Sequence, residues 1–168
     1  MGLMTKKRDQ IPGLLYEYSE QAFTVREIAK RTGIPKSTAQ KYLQELKKKG
    51  FIDQENKAIS SLLFKIKKVN YYVEKIIESG LIDELIRKLN PSCIILFGSI
   101  RKGDSAPESD IDLFVESPLA KELALEKYEK ILHHPLQLFI EKDIQGLPPQ
   151  LFNNVVNGIK LYGSFKVK

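Results

Sequence analysis

The chain has 168 residues, 42% of them hydrophobic and 29% charged, with a net charge of +6. That apolar fraction supports one domain or two small ones and excludes wholesale disorder. The apolar runs are a few residues long, far below the roughly 18 needed to cross a bilayer. The single cysteine, Cys93, excludes an intramolecular disulfide and a cysteine metal cluster.

The opening MGLMTKKRDQ has the positive flank of a targeting segment with no apolar core behind it, so a soluble, cytoplasmic protein is expected. Charge is unevenly spread. Residues 1–68 hold 15 Lys and Arg against 7 Asp and Glu, a net of +8; residues 69–168 hold 12 against 14, a net of −2. The basic half suits a polyanionic partner, although a lysine-rich solvated face would give the same imbalance.

DQIPGLLYEYSEQAF places Ile11, Leu14, Leu15, Tyr18 and Phe23 at mixed helical spacing, with Pro12 near the start, where a helix tolerates it. In the next stretch Thr24 and Glu27 form a capping box, and Gly33 ends the helix they open. Pro35 and Ser37 begin a second helix with Ala39, Tyr42, Leu43 and Leu46 inward. Its other face offers Lys36, Ser37, Thr38, Gln40, Lys41 and Gln44, which are donors suited to phosphates and base edges. Phe51-Ile52 and the run Ala58 to Phe64, separated by polar Asp53 to Lys57, predict a small hairpin. Two short helices joined by a Gly-containing turn and followed by a hairpin resemble the winged helix-turn-helix domains of many prokaryotic regulators, over roughly residues 8–65. The resemblance implies DNA binding by those six residues; a helical docking or dimerising module is the alternative.

Residues 65–89 read as helix interrupted at Gly80 and are expected to link two domains. After Asn90-Pro91 the period changes. SCIILF is a buried-strand run, Asp110 to Glu116 alternates, and Pro135 to Glu141 is a third strand candidate. LAKELALEKYEKIL predicts an amphipathic helix, and PPQLFNNVVNGIKLYGS a helix followed by a short strand. The fold class expected is α+β: a winged helix-turn-helix at 1–65, a helical linker at 66–90, and a mixed sheet flanked by helices at 91–168.

The stretch FGSIRKGDSAPESDIDL carries the chemistry. On a strand, Asp110 and Asp112 project to one face while Ile111, Leu113 and Val115 face the other. Adjacent carboxylates repel unless a cation lies between them, and magnesium takes one or two carboxylates plus substrate phosphates. Gly98-Ser99 follows a strand end; a helix starting there would offer free N–H groups to an anion. Together these point to metal-assisted phosphoryl or nucleotidyl transfer.

Gly-Ser, ten residues, then Asp-x-Asp, within LFGSIRKGDSAPESDIDLFV, resembles the polymerase β-like nucleotidyltransferases, in the minimal-nucleotidyltransferase branch, over residues 92 to about 163. The resemblance implies that Gly98 and Ser99 hold a nucleoside triphosphate and that Asp110 and Asp112 are catalytic and bind Mg²⁺, of which active members use two ions; Arg101 either reaches a phosphate or is solvated. It also implies a third carboxylate on a following strand, where PLQLFIEKD instead offers Gln137. Glu141 would lie two pairs along a regular strand, roughly 13 Å away, and Asp143 in the next turn. Either the register differs or one metal site is weakened. Two functions follow from the resemblance. One is a metal-dependent transferase moving a nucleoside monophosphate onto a protein acceptor, with a helical partner toxin as candidate and an antitoxin role. The other is a DNA-binding regulator whose transferase-like domain binds nucleotide or mediates dimerisation. His133-His134 is read as a helix-to-strand turn, Tyr71-Tyr72 as packing, and Lys102 as solvated or phosphate-proximal.

Overall fold

A computed structural model describes residues 10–119, 121 and 123–166, which divide after Lys68 into two compact units. The first contains helices α1 (Gln10–Glu17), α2 (Val25–Thr32) and α3 (Lys36–Lys48). The Thr24 hydroxyl accepts the Glu27 amide at 3.2 Å, and the Glu27 carboxylate accepts the Thr24 amide at 2.8 Å, forming the reciprocal cap the sequence predicts. Gly33, at φ +66°, ends α2. Ala39 and Leu43 of α3 are buried with Ile11, Leu15, Phe23, Ile28, Ile34 and Ile52, so the helix-turn-helix has its own core.

The wing is smaller than expected. A single antiparallel bridge joins Ile52 to Ala58. Asp53 Oδ1 accepts the amides of Glu55 and Lys57, both at 2.9 Å, closing the turn between them. Of the run Ala58 to Phe64, Ala58 forms the bridge and the Ile59 amide donates to the Phe51 carbonyl at 2.9 Å, and three residues later α4 (Leu62–Glu78) begins. The Ser61 hydroxyl accepts the Phe64 amide at 3.1 Å and so caps the helix three residues inside the expected strand.

The second unit holds a four-stranded sheet in the order β3-β2-β1-β4, formed by β1 (Cys93–Phe97), β2 (Ile111–Glu116), β3 (Leu136–Glu141) and β4 (Ile159–Gly163). β1 runs antiparallel to β2 and β4, whereas β2 and β3 are parallel. One face buries Ile94, Leu96, Ile111, Leu113 and Val115 against Tyr72 and Ile76 of α4, Leu81, Ile82, Leu85 and Leu89 of α5 (Leu81–Leu89), and Tyr128 and Leu132 of α7 (Glu126–Leu132). The other face buries Cys93, Ile95, Phe97 and Phe114 against Ile144, Leu147 and Val155 of the closing helix α8 (Pro149–Val156) and its approach. Covering on both sides is why CIILF reads as an unbroken apolar run. Residues 66–90, expected as a linker, are helical, and from Tyr72 onward they build this core. Gly80, at φ +78°, makes the break.

The helix expected over 119–132 starts only at Glu126, and Ala120 and Glu122 lie outside the described residues. Ser117 explains part of the delay: its hydroxyl donates to the Leu89 carbonyl at 2.6 Å and accepts the Leu119 amide at 2.9 Å. Those bonds hold the exit from β2 as a turn rather than the start of a helix.

Candidate functional site

β1 ends at Phe97, and the chain turns at Gly98, which has φ +73°. The one-turn helix α6 (Gly98–Lys102) follows and closes on Gly103, also left-handed at φ +74°. The Ser99 carbonyl accepts the Asp104 amide at 3.1 Å, which fixes the start of the polar loop. Antiparallel register sets Phe97 opposite Asp112. The Asp112 carboxylate therefore packs onto Gly98: a Cβ at Gly98 would collide with its Oδ2 and stand 2.8 Å from its Cγ. Gly-Ser and the aspartates, separated by the loop in sequence, share one place.

Asp112 lies within β2 and is half-buried; Asp110 is exposed, one residue before the strand. Burial pushes the Asp112 carboxyl up from its ordinary value, and the negative charge of Asp110 adds to the shift. A cation relieves both penalties. The pair fits one divalent ion that completes its shell with substrate phosphates and water. Ser99 is half-buried, as is Arg101 near the end of α6, while Lys102 is exposed.

The β2–β3 register answers the question left open by the third carboxylate. Asp112 pairs with Gln137, Phe114 with Phe139, and Glu116 with Glu141. Paired residues share a face, so Gln137 stands beside Asp112, one strand spacing of roughly 5 Å away. Glu141 instead faces Glu116. Glu116 itself accepts the Ser92 hydroxyl at 2.5 Å and the Ile144 amide at 2.9 Å, while Asp143 accepts the Gln145 amide at 2.9 Å. Among the described residues, no group of three or more His, Cys, Asp and Glu could hold a metal ion. A second ion that needs a third carboxylate does not fit here. The floor beside the site is aromatic, with the Phe97 and Phe139 rings 5.3 Å apart.

His133 is the left-handed cap of α7 at φ +60°, as a helix-to-strand turn requires. His134 is buried, with Nδ1 2.7 Å from the Ser109 carbonyl oxygen and Nε2 3.2 Å from the Tyr72 hydroxyl. Sequence reading assigns these residues to turn and packing. The partners lie 25 and 62 residues away, so no local pattern marks them.

In the first unit, Lys36, Ser37, Thr38, Gln40, Lys41 and Gln44 are all exposed on α3, with Ala39 and Leu43 turned into the core. Lys47 is engaged elsewhere, donating to the Gln54 carbonyl at 2.8 Å.

A mixed sheet with Gly-Ser at the end of one strand, abutting an aspartate of the next, defines a nucleotidyltransferase-type domain. Consistently, residues 78–145 match the family model of the nucleotidyltransferase domain, and residues 14–74 match that of the sugar-specific transcriptional regulator TrmB. The chain thus joins an N-terminal TrmB-type winged-helix domain to a C-terminal nucleotidyltransferase domain. No curated protein and no solved structure matches it. Among the described residues, no helix is long and apolar enough to cross a membrane.

Proposed function

We propose that this protein contacts DNA through α3 and binds a magnesium–nucleoside triphosphate at Gly98, Ser99, Asp110 and Asp112, with nucleotidyl transfer held back at Gln137. The observation that carries the reading is the double register of Asp112, which abuts Gly98 on one side and pairs with Gln137 on the other. Gly98 lets the Asp112 carboxylate approach the backbone, and the neighbouring Ser99 hydroxyl donates to a phosphate oxygen. Asp110 and Asp112 hold the metal, and Arg101 supports the phosphates from α6. Bound magnesium would neutralise charge on the phosphates and polarise the phosphorus under attack. Gln137 can donate or accept a hydrogen bond there, but its amide cannot take the acceptor's proton at neutral pH.

A complete transferase acting on a protein, for instance a helical partner toxin in an antitoxin role, is favoured by the intact Gly-Ser and aspartate pair. Gln137 favours nucleotide sensing coupled to DNA binding. A second copy binding a second half-site is supported by four exposed apolar side chains, Ile59, Leu62, Leu63 and Ile66, on and just before the start of α4.

Equilibrium binding of labelled ATP tests the site. The wild-type protein should bind ATP in a magnesium-dependent manner, and Asp110→Ala/Asp112→Ala should lose that dependence. Absence of magnesium-dependent binding in the wild type would contradict the reading.

A further inference from the structure

Asp110 lies one residue outside β2, so the strand ladder does not itself hold it. What holds it comes from the α7–β3 junction. On one side the Ser109 carbonyl receives His134 Nδ1 at 2.7 Å; on the other the Ile111 amide donates to the Pro135 carbonyl at 2.8 Å. The two residues flanking Asp110 are thus clamped by two consecutive residues of a distant segment.

The clamp is itself buried. His134 is 2% exposed and Tyr72 1%. Their rings meet edge to face at 5.2 Å, with Nε2 3.2 Å from the Tyr72 hydroxyl. A carbonyl can only accept, so the proton sits on Nδ1 and points at Ser109. Downstream, the Glu129 carboxylate accepts the Leu136 amide at 2.9 Å, tying the junction to α7. Within the loop, Ser109 is also held: its hydroxyl accepts the Ala106 amide at 2.8 Å, and its amide donates to the Ala106 carbonyl at 3.0 Å.

We propose that His134 is a positioning residue for the metal site: its Nδ1–H fixes the Ser109 carbonyl and thereby aims the Asp110 carboxylate beside Asp112. The inference rests on the reading that Asp110 and Asp112 bind the metal. Polar groups that orient a ligand from behind commonly change metal affinity 10- to 100-fold when removed.

A matched pair of substitutions tests it. Asparagine places an amide N–H near the former Nδ1, whereas glutamine reaches toward the former Nε2 and leaves the Ser109 carbonyl without its donor. Mn²⁺ in the presence of ATP is the probe. Its affinity is read from free Mn²⁺ by electron paramagnetic resonance, and each variant's thermal unfolding midpoint is recorded alongside. His134→Asn should keep Mn²⁺ affinity within about threefold of wild type, and His134→Gln should weaken it by about tenfold or more. Both variants should remain folded at the assay temperature. Equal affinities in the two variants, whether retained or lost, would overturn the proposal while leaving the metal site standing. A wild-type protein that takes up no Mn²⁺ with ATP would instead overturn the site reading, and the positioning role with it.

Discussion

Gly98 is required twice over. Its φ of +73° lies in the left-handed region, and the space a Cβ would occupy is filled by the Asp112 carboxylate. Gly98→Ala should cost about 1–2 kcal/mol through the backbone alone and displace Asp112. Calorimetry should therefore show lower stability together with lost magnesium-dependent ATP binding. Retention of both would mean that Asp112 does not pack where the register sets it. Asp112 carries the pH dependence. Its folded-state pKa is raised, by burial first and Asp110 second, so the folded state holds that proton more tightly than the unfolded state does. The stabilising effect of the protonated form is complete below the ordinary carboxylate value and is lost as pH rises through the raised value. At neutral pH the ionised pair is a liability until a cation arrives. Metal-free Asp112→Asn should accordingly unfold at a higher temperature than wild type at pH 7, and added magnesium and ATP should stabilise the wild type more. A lower metal-free midpoint would contradict this. The aspartates and Gly-Ser are legible because their chemistry is written in local sequence. The role of His134 is not, because the residues that give it one are brought to it only by the fold.

Elements are legible where periodicity and caps agree, as in α2, α3, β1 and the closing α8–β4 pair. They depart from the pattern where a side-chain bond outweighs it: Ser61 starts α4 inside the expected wing strand, and Ser117 holds a turn ahead of α7. The resemblance aligns Gln137 with the third carboxylate, whereas spacing alone leaves the register of β3 open. A parallel strand arrives by a crossover, so no turn fixes which of its residues faces Asp112. The structure sets Gln137 there. The segment expected as a linker has a consequence of its own. Leu85 is fully buried in the core of the second unit. Leu85→Ala should therefore destabilise that unit by about 2–5 kcal/mol, seen as a lower denaturant midpoint for the nucleotidyltransferase domain. A loss below about 0.5 kcal/mol, typical of surface positions, would mean that α5 is only a connector.

At the scale of the whole molecule, the net +8 of residues 1–68 against −2 of residues 69–168 supports the proposed DNA contact by the first half. Replacing Lys36 and Lys41 by alanine should weaken duplex binding and reduce the slope of log affinity against log salt by about 2, one for each phosphate no longer neutralised. An unchanged slope would remove α3 from the interface. In the other half, the proposed metal–triphosphate site has Gln137 where a base would receive the acceptor's proton. The direct measurement is transfer of label from α-labelled ATP, with magnesium and candidate acceptor proteins, by wild type and by Gln137→Asp. General-base catalysis contributes about 10²–10⁴-fold. The wild type should transfer label weakly or not at all, and the variant should gain at least tenfold, a gain abolished by adding Asp110→Ala. Vigorous wild-type transfer that Gln137→Asp leaves unchanged would contradict it.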